Sequence, residues 1–340
     1  MRKPILLLLA LLGWALPSPG QVTFRLDGFS NRYYGKAYLC DTSEVFSAGW
    51  VAVYDKQSDE ELVRVSADEL PYASHDGRLV ANIAEIPYGE YSVLLHEDYN
   101  FDGRKDFAIM DGQNSCYHGP SFQIFLDTED GLLYSPGLTQ LAQENCGMFT
   151  VNAEDSTLST MTKSGCCWHQ FCTYVMKGNE PRLIRSCIED ARELPISTTT
   201  IEEWDGEKMV STVSRTIDLD DESVKEVFAF HIGRLGKDMA LYNVSDRMLY
   251  YVLTDSAGNV ELAYPAEIVY NAPDFTYNAA RNTLRFQNED AYYTICGEPA
   301  KPGIEIIIHG KTYRWEGDPT TCKGSLRSLM QTDLGNVVKR

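Results

Sequence analysis

The 340-residue chain lacks the usual sequence marks of catalysis and of membrane spanning. Its six histidines (His75, His96, His118, His169, His231 and His309) are scattered, with no His-x-x-x-His pair among them. That excludes the helical zinc-hydrolase pattern. There is no Gly-x-Ser-x-Gly elbow for a serine nucleophile. No glycine-rich loop opens a helix to cradle nucleotide phosphates. Beyond the first twenty residues no run of about eighteen apolar residues exists, so no later segment is expected to span a bilayer as a helix. Positive charge is also scarce: 30 Lys and Arg face 49 Asp and Glu, a formal net of −19. Such a chain repels nucleic acid and anionic lipid, and suits a bound cation or a basic protein partner. With so many acids, a pair of carboxylates at glycosidase spacing can always be found and identifies nothing. The expectation is a binding protein, not an enzyme.

What is present begins with an export signal. Arg2 and Lys3 precede the apolar run Ile5 to Leu12, and Ser18-Pro19-Gly20 supplies small residues for cleavage before Gln21. Loss of residues 1–20 leaves 28 basic against 49 acidic side chains, a net of −21. The destination is the periplasm or the exterior. There, the nine cysteines read first as disulfide candidates. Cys296 and Cys322, isolated near the C-terminus, are the best pair, and Cys116 with Cys146 is a second. Cys166, Cys167, Cys172 and Cys187 form a cluster whose pairing stays open. A zinc set from Cys167, His169 and Cys172 would lack a second half.

The most specific stretch is DYNFDGRKD, Asp98 to Asp106. Oxygen-bearing side chains stand at its first, third, fifth and ninth positions: Asp98, Asn100, Asp102 and Asp106. Gly103 occupies the sixth, where a metal loop turns sharply, and Arg104 at the seventh would offer its backbone carbonyl. A hard cation such as Ca2+ takes six to eight oxygens at roughly 2.4 Å, which this alternation supplies. The twelfth position is Ile109 where an EF-hand has Glu, and the flanks are short apolar runs rich in strand formers. The reading is strand, calcium loop, strand.

Almost every other segment after the leader is a short alternating run closed by turn residues, and only Gly137 to Asn145 and Glu189 to Leu194 could hold a helical turn. The fold class is all-β: a propeller-like or sandwich domain over residues 21–195, a polar linker over 196–204, a second β-rich domain over 205–329 and a loose tail over 330–340.

The run DYNFDGRKDFAIMDGQNS, followed by CYHGPSFQIFLDTEDG and SGCCWHQFCTYVMKGNEPRLI, resembles a family of exported bacterial immunity proteins. These carry a calcium-binding, β-propeller-like domain and inhibit lysozyme-like peptidoglycan hydrolases delivered by type IV secretion systems. The likeness covers roughly residues 75–190. It implies calcium at Asp98, Asn100, Asp102, Arg104 and Asp106. It also implies a loop that enters the hydrolase's cleft, for which Ser164, Gly165 and His169, or the Tyr117-His118-Gly119 segment, are candidates. The cysteine-rich Cys166-Cys167-Trp168 segment varies from that pattern and also fits a disulfide-stapled surface turn. A different class, a carbohydrate- or cell-surface-binding module, would draw on the 20 tyrosines and five tryptophans as stacking platforms. LYYVLTDSAGNVELAYPAEI resembles a segment recurrent in exported bacterial proteins and implies only another β domain.

Overall fold

The computed structural model describes residues 20–71, 78–83, 92–266 and 273–340. The leader expected at 1–20 thus lies, apart from Gly20, outside the described residues. No described helix is long and apolar enough to cross a membrane. The all-β expectation holds: mainly antiparallel sheets in more than one β-rich body account for nearly all regular structure, and among the described residues no barrel closes.

Each sheet is built mainly from strands consecutive in sequence, the up-and-down order that short turns between alternating runs produce. The first contains Val22–Leu26 (β1), Tyr33–Leu39 (β2), Phe46–Asp55 (β3) and Glu61–Pro71 (β4). The second contains Leu94–Glu97 (β5), Asp106–Ser115 (β6), Gly119–Thr128 (β7) and Gly131–Tyr134 (β8). Next come a helix, Pro136–Glu144 (α1), and the strands Thr150–Asn152 (β9), Thr157–Lys163 (β10), Trp168–Lys177 (β11), Glu180–Glu193 (β12), Ile196–Trp204 (β13) and Met209–Ile217 (β14), ordered β14-β13-β12-β11-β10-β9. The fourth sheet joins Val224–Ile232 (β15), Lys237–Val244 (β16), Met248–Thr254 (β17) and Val260–Tyr264 (β18). The fifth joins Phe275–Asn278 (β19), Thr283–Asn288 (β20), Ala291–Cys296 (β21), Gly303–Ile308 (β22) and Lys311–Glu316 (β23). Lys323–Gly324 (β24) then returns to β15, and Val337–Lys339 (β25) returns to β19.

Two compact units divide the chain: residues up to Thr162 together with Cys172–Leu183, and Lys163–Phe171 together with Ile184–Arg340. In the first unit one core gathers Leu39, Val51 and Val65 of the first sheet, Phe107, Ile109 and Ile124 of the second, and Leu138 and Ala142 of α1. The helix starts where the sequence allows it: Ser135 caps Leu138 N–H, and Pro136 supplies a pre-set φ. Thr139 Oγ1 then accepts from Ile124 N–H at 2.9 Å, tying the helix to β7. In the second unit Phe228, Leu241 and Tyr251 of the fourth sheet pack with Phe275, Leu284 and Ile295 of the fifth.

Three expectations are corrected. Residues 196–204 are no linker but β13, paired residue for residue with β14 from Ile196↔Ile217 to Trp204↔Met209. Its polar, Thr-rich composition suits a half-buried strand, since β-branched side chains pack well on a pleated surface. Glu189 to Leu194 is not helical either, because Glu189 and Asp190 pair with Thr199 and Thr198. Nor is the C-terminus loose. Asn336 is fully buried, its Oδ1 accepting from Leu249 N–H at 2.8 Å and its Nδ2 donating to Leu249 C=O at 3.0 Å. Asn336→Ala strands both groups and is expected to cost about 2–4 kcal/mol, read as a lower melting temperature.

The cysteines divide as follows. Cys116 and Cys146 are bridged, as expected, and Cys166 bridges its neighbour Cys167. Cys296 and Cys322 are not paired: both are thiols, like Cys40, Cys172 and Cys187. The β-ladder fixes Cys296 between Thr283 and Gly303, and Cys322 packs against the second core. Isolation in sequence carried no information about their separation in space.

Candidate functional site

The Asp98–Asp106 stretch folds as a β-hairpin loop. Strands β5 and β6 pair from Leu94↔Ile109 to Glu97↔Asp106, and residues 98–105 form the connection. Two left-handed residues make the turn, Phe101 at φ 60 and Gly103 at φ 89. The second is where the missing Cβ matters.

The loop's oxygens turn inward. Asp98 Oδ1 and Asn100 Oδ1 both accept from Asp102 N–H, at 3.1 and 3.2 Å, so the first and third positions converge on one point. Asp98 Oδ2 accepts from Gly103 N–H at 2.8 Å. Asp102 Oδ1 accepts from Arg104 N–H at 2.8 Å, and its Oδ2 lies 3.3 Å from the Asn100 amide nitrogen. Partial burial of Asp102 raises its pKa, but the Arg104 N–H, the Asn100 amide and the Arg104 guanidinium outweigh that and hold it below the ordinary value.

Asp106 differs in kind. It is completely buried, Oδ2 accepting from Tyr99 N–H and Oδ1 from Asp127 N–H, both at 2.9 Å. Burial pushes its carboxyl up to about 6 despite those two N–H groups, and the charges of Asp102 and Asp98 push the same way. The three carboxylates are therefore close enough to repel one another. They are not drawn into a ready cage: among the described residues no three His, Cys, Asp or Glu side chains are gathered as metal ligands. The Arg104 side chain, assigned no role by the sequence beyond its carbonyl, lies on Asp102 Oδ2 at 3.1 Å and 3.8 Å from Glu129. A hard cation fits the chemistry of the donor set, which is all oxygen, and would take over the neutralising role of that guanidinium.

Residues outside the motif complete the site. Asp127 presents its N–H to Asp106 while its own carboxylate takes the Tyr33 hydroxyl at 2.9 Å and faces Arg32 at 3.6 Å. Asn179, in the β11–β12 turn, accepts from the Asn100 amide at 3.2 Å. Asp127, near the end of β7, was given no role by the sequence. Behind the loop His96 is buried and stacks on Phe107 at 4.6 Å, and burial lowers its pKa.

The proposed partner-contacting residues fall in two places. His118 is on an exposed corner, its side chain 62% accessible, with Nε2 2.7 Å from Glu69 and the ring edge-on to Phe46. Tyr117 and His118 both take left-handed φ, held beside the Cys116–Cys146 bridge. Ser164 and Gly165 form an exposed turn between β10 and β11, closed by Ser164 N–H on Trp168 C=O at 3.0 Å and by the Cys166–Cys167 bridge. His169 stacks on Phe171. His118 belongs to the first unit, and Ser164, Gly165 and His169 to the second. The bridge on Cys167 also removes the zinc set with His169 and Cys172.

No protein-family model matches the chain, and no curated protein matches it. Among solved structures it is similar to one described as a Xanthomonas type IV secretion system related protein. The two share 20% identity over 58% of this chain and 95% of that chain, with a TM-score of 0.45. A structure from a study of two prolyl endopeptidases is 10% identical, over 90% of this chain and 43% of that chain, with a TM-score of 0.25. Scores at these levels assign this chain to no family.

Proposed function

We propose that the protein is an exported, calcium-stapled immunity factor that binds and inhibits a peptidoglycan-cleaving, lysozyme-like hydrolase and catalyses no reaction itself. The observation that carries the calcium part is the hairpin loop in which Asp98 and Asn100 converge on Asp102 while Asp106 stands buried at its base. Asp98, Asn100, Asp102, Asp106 and the Arg104 carbonyl would hold the ion, which would neutralise the three carboxylates and lock the β5–β6 register. The affinity expected of an exported module is about 10⁻⁴ to 10⁻³ M.

The inhibitory part is supported by the resemblance in sequence and by charge. A mature chain of net −21 is steered toward a basic enzyme, and lysozyme-like enzymes working on acidic walls are commonly basic. Two exposed, disulfide-fixed turns, at His118 and at Ser164-Gly165, lose little freedom on docking. The test is clearance of purified peptidoglycan by lysozyme-like hydrolases with increasing amounts of the mature protein. Dose-dependent protection, weakened by His118→Ala or Ser164→Asp, supports the reading. Clearance at an unchanged rate across a panel of such hydrolases refutes it.

A further inference from the structure

The fourth sheet has two faces. One packs Phe228, Phe230, Leu241 and Tyr251 into the core. The other carries small side chains in a row that crosses the strands. Lys323 pairs with Ala229, Ala229 with Ala240, Ala240 with Val252, and Val252 with Ala263. Cross-strand partners point to the same side, so these residues form a floor. Larger neighbours stand along both sides of it: His231↔Asp238↔Thr254 on one flank, Glu226↔Tyr242↔Tyr250 on the other. Between them lies a hollow of about 440 Å³ with the half-buried Ala229 and Ala240 beneath, while Val252 beside them is sealed with Tyr242 and Tyr250 in a core that Leu194, Ile196 and Ile217 pack against. Ala263, at the far end of the row, packs on that core and borders a separate cavity of about 780 Å³ that carries Arg192, Arg215 and Glu261.

The chemistry of the first hollow is selective. His231 Nδ1 lies 2.8 Å from Asp238 Oδ1, which fixes the ring. A carboxylate accepts from Nδ1–H, so in the neutral ring Nε2 is the acceptor. Thr254, Glu226 and Lys323 add further donors and acceptors around the apolar floor. One lysine against two carboxylates, on a strongly acidic chain, disfavours an anionic ligand. The interior strands β16 and β17 have their backbone groups engaged on both sides, so a peptide could not add to the sheet as a further strand there. A sugar ring matches what is offered: C–H faces for a smooth apolar floor and hydroxyls for a polar rim.

We propose that this hollow is a binding site for a neutral pyranose sugar. It lies wholly in the second unit and goes beyond the inhibitory reading, giving the protein a separate hold on a saccharide.

The test titrates the calcium-loaded mature chain with chitotriose, cellotriose and a pentaglycine peptide, followed by amide NMR shifts. Saturable binding of at least one trisaccharide, with shifts centred on Ala229 and Ala240, is expected, and so is at least a tenfold weakening in Ala240→Leu, which fills the floor. His231→Gln, a milder change, is expected to weaken binding several-fold at an unchanged melting temperature and keeps the test valid should Ala240→Leu unfold. Chelation of calcium should leave sugar binding intact, and hydrolase inhibition should survive both substitutions. Absence of saturable sugar binding, equal binding by His231→Gln, or binding of pentaglycine in place of sugar overturns the proposal.

Discussion

Asp106→Ala is expected to cost the calcium-free native state about 2–5 kcal/mol, and more when calcium is present. The reason lies in the buried N–H groups of Tyr99 and Asp127, each 2.9 Å from one carboxylate oxygen. Alanine leaves both without a protein acceptor in the interior. A denaturant midpoint shift at constant m-value measures the loss. Asp106→Asn keeps one acceptor oxygen and should lose roughly half as much. The carboxyl also makes a prediction in pH. Burial raises it from 3.8 to about 6 in the folded chain, so the folded state holds this proton more tightly than the unfolded state. Its stabilising contribution in the calcium-free chain is therefore full below the unfolded value. It fades as pH rises from about 4 to about 6, by at most about 3 kcal/mol. Asp106→Asn should flatten that part of the chelator-treated stability curve, and an unchanged slope would contradict this view of the site.

The second large effect is calcium itself. An ion bound only by the native state stabilises it by about 2.7 kcal/mol at one hundred times its dissociation constant. For bodies of this size that raises the melting temperature by about 5–10 °C relative to chelator. Asp102→Ala should erase the difference at little intrinsic cost, because what it otherwise loses, an ion pair with Arg104 and hydrogen bonds from the Arg104 N–H and the Asn100 amide, lies in an exposed loop where water replaces it. Mutant and parent should then melt together in chelator and apart in calcium. Separation of the two in chelator by as much as in calcium would mean that Asp102 serves the apo fold and not a metal.

How far the sequence reached depended on how local the determinants were. The strand-loop-strand hairpin, the helix behind Ser135-Pro136 and the Cys116–Cys146 bridge rest on short-range signals, and the structure has all three. What stayed hidden is long-range. Nothing near Val337 indicates that it lies parallel to Phe275, nor that Asn336 reaches Leu249. The Thr-rich stretch of β13 looked like a linker because both its faces are only half buried, which removes the apolar alternation that marks a strand. In the site, the loop's own oxygens were legible from spacing, while the Asp127 N–H that holds Asp106 comes from a strand 21 residues away. The Arg104–Asp102 ion pair was missed for another reason: position seven of such a loop is read for its carbonyl, and the side chain was given no role.

The measurement that bears most directly on the central claim is calorimetric titration of the mature, chelator-stripped chain with Ca2+, alongside Asp102→Ala. The account predicts one ion per chain bound by the parent, with a dissociation constant near the exported-module range of about 10⁻⁴ to 10⁻³ M, and none at this site in the mutant. No saturable heat in the parent, together with equal melting temperatures in calcium and in chelator, would contradict it.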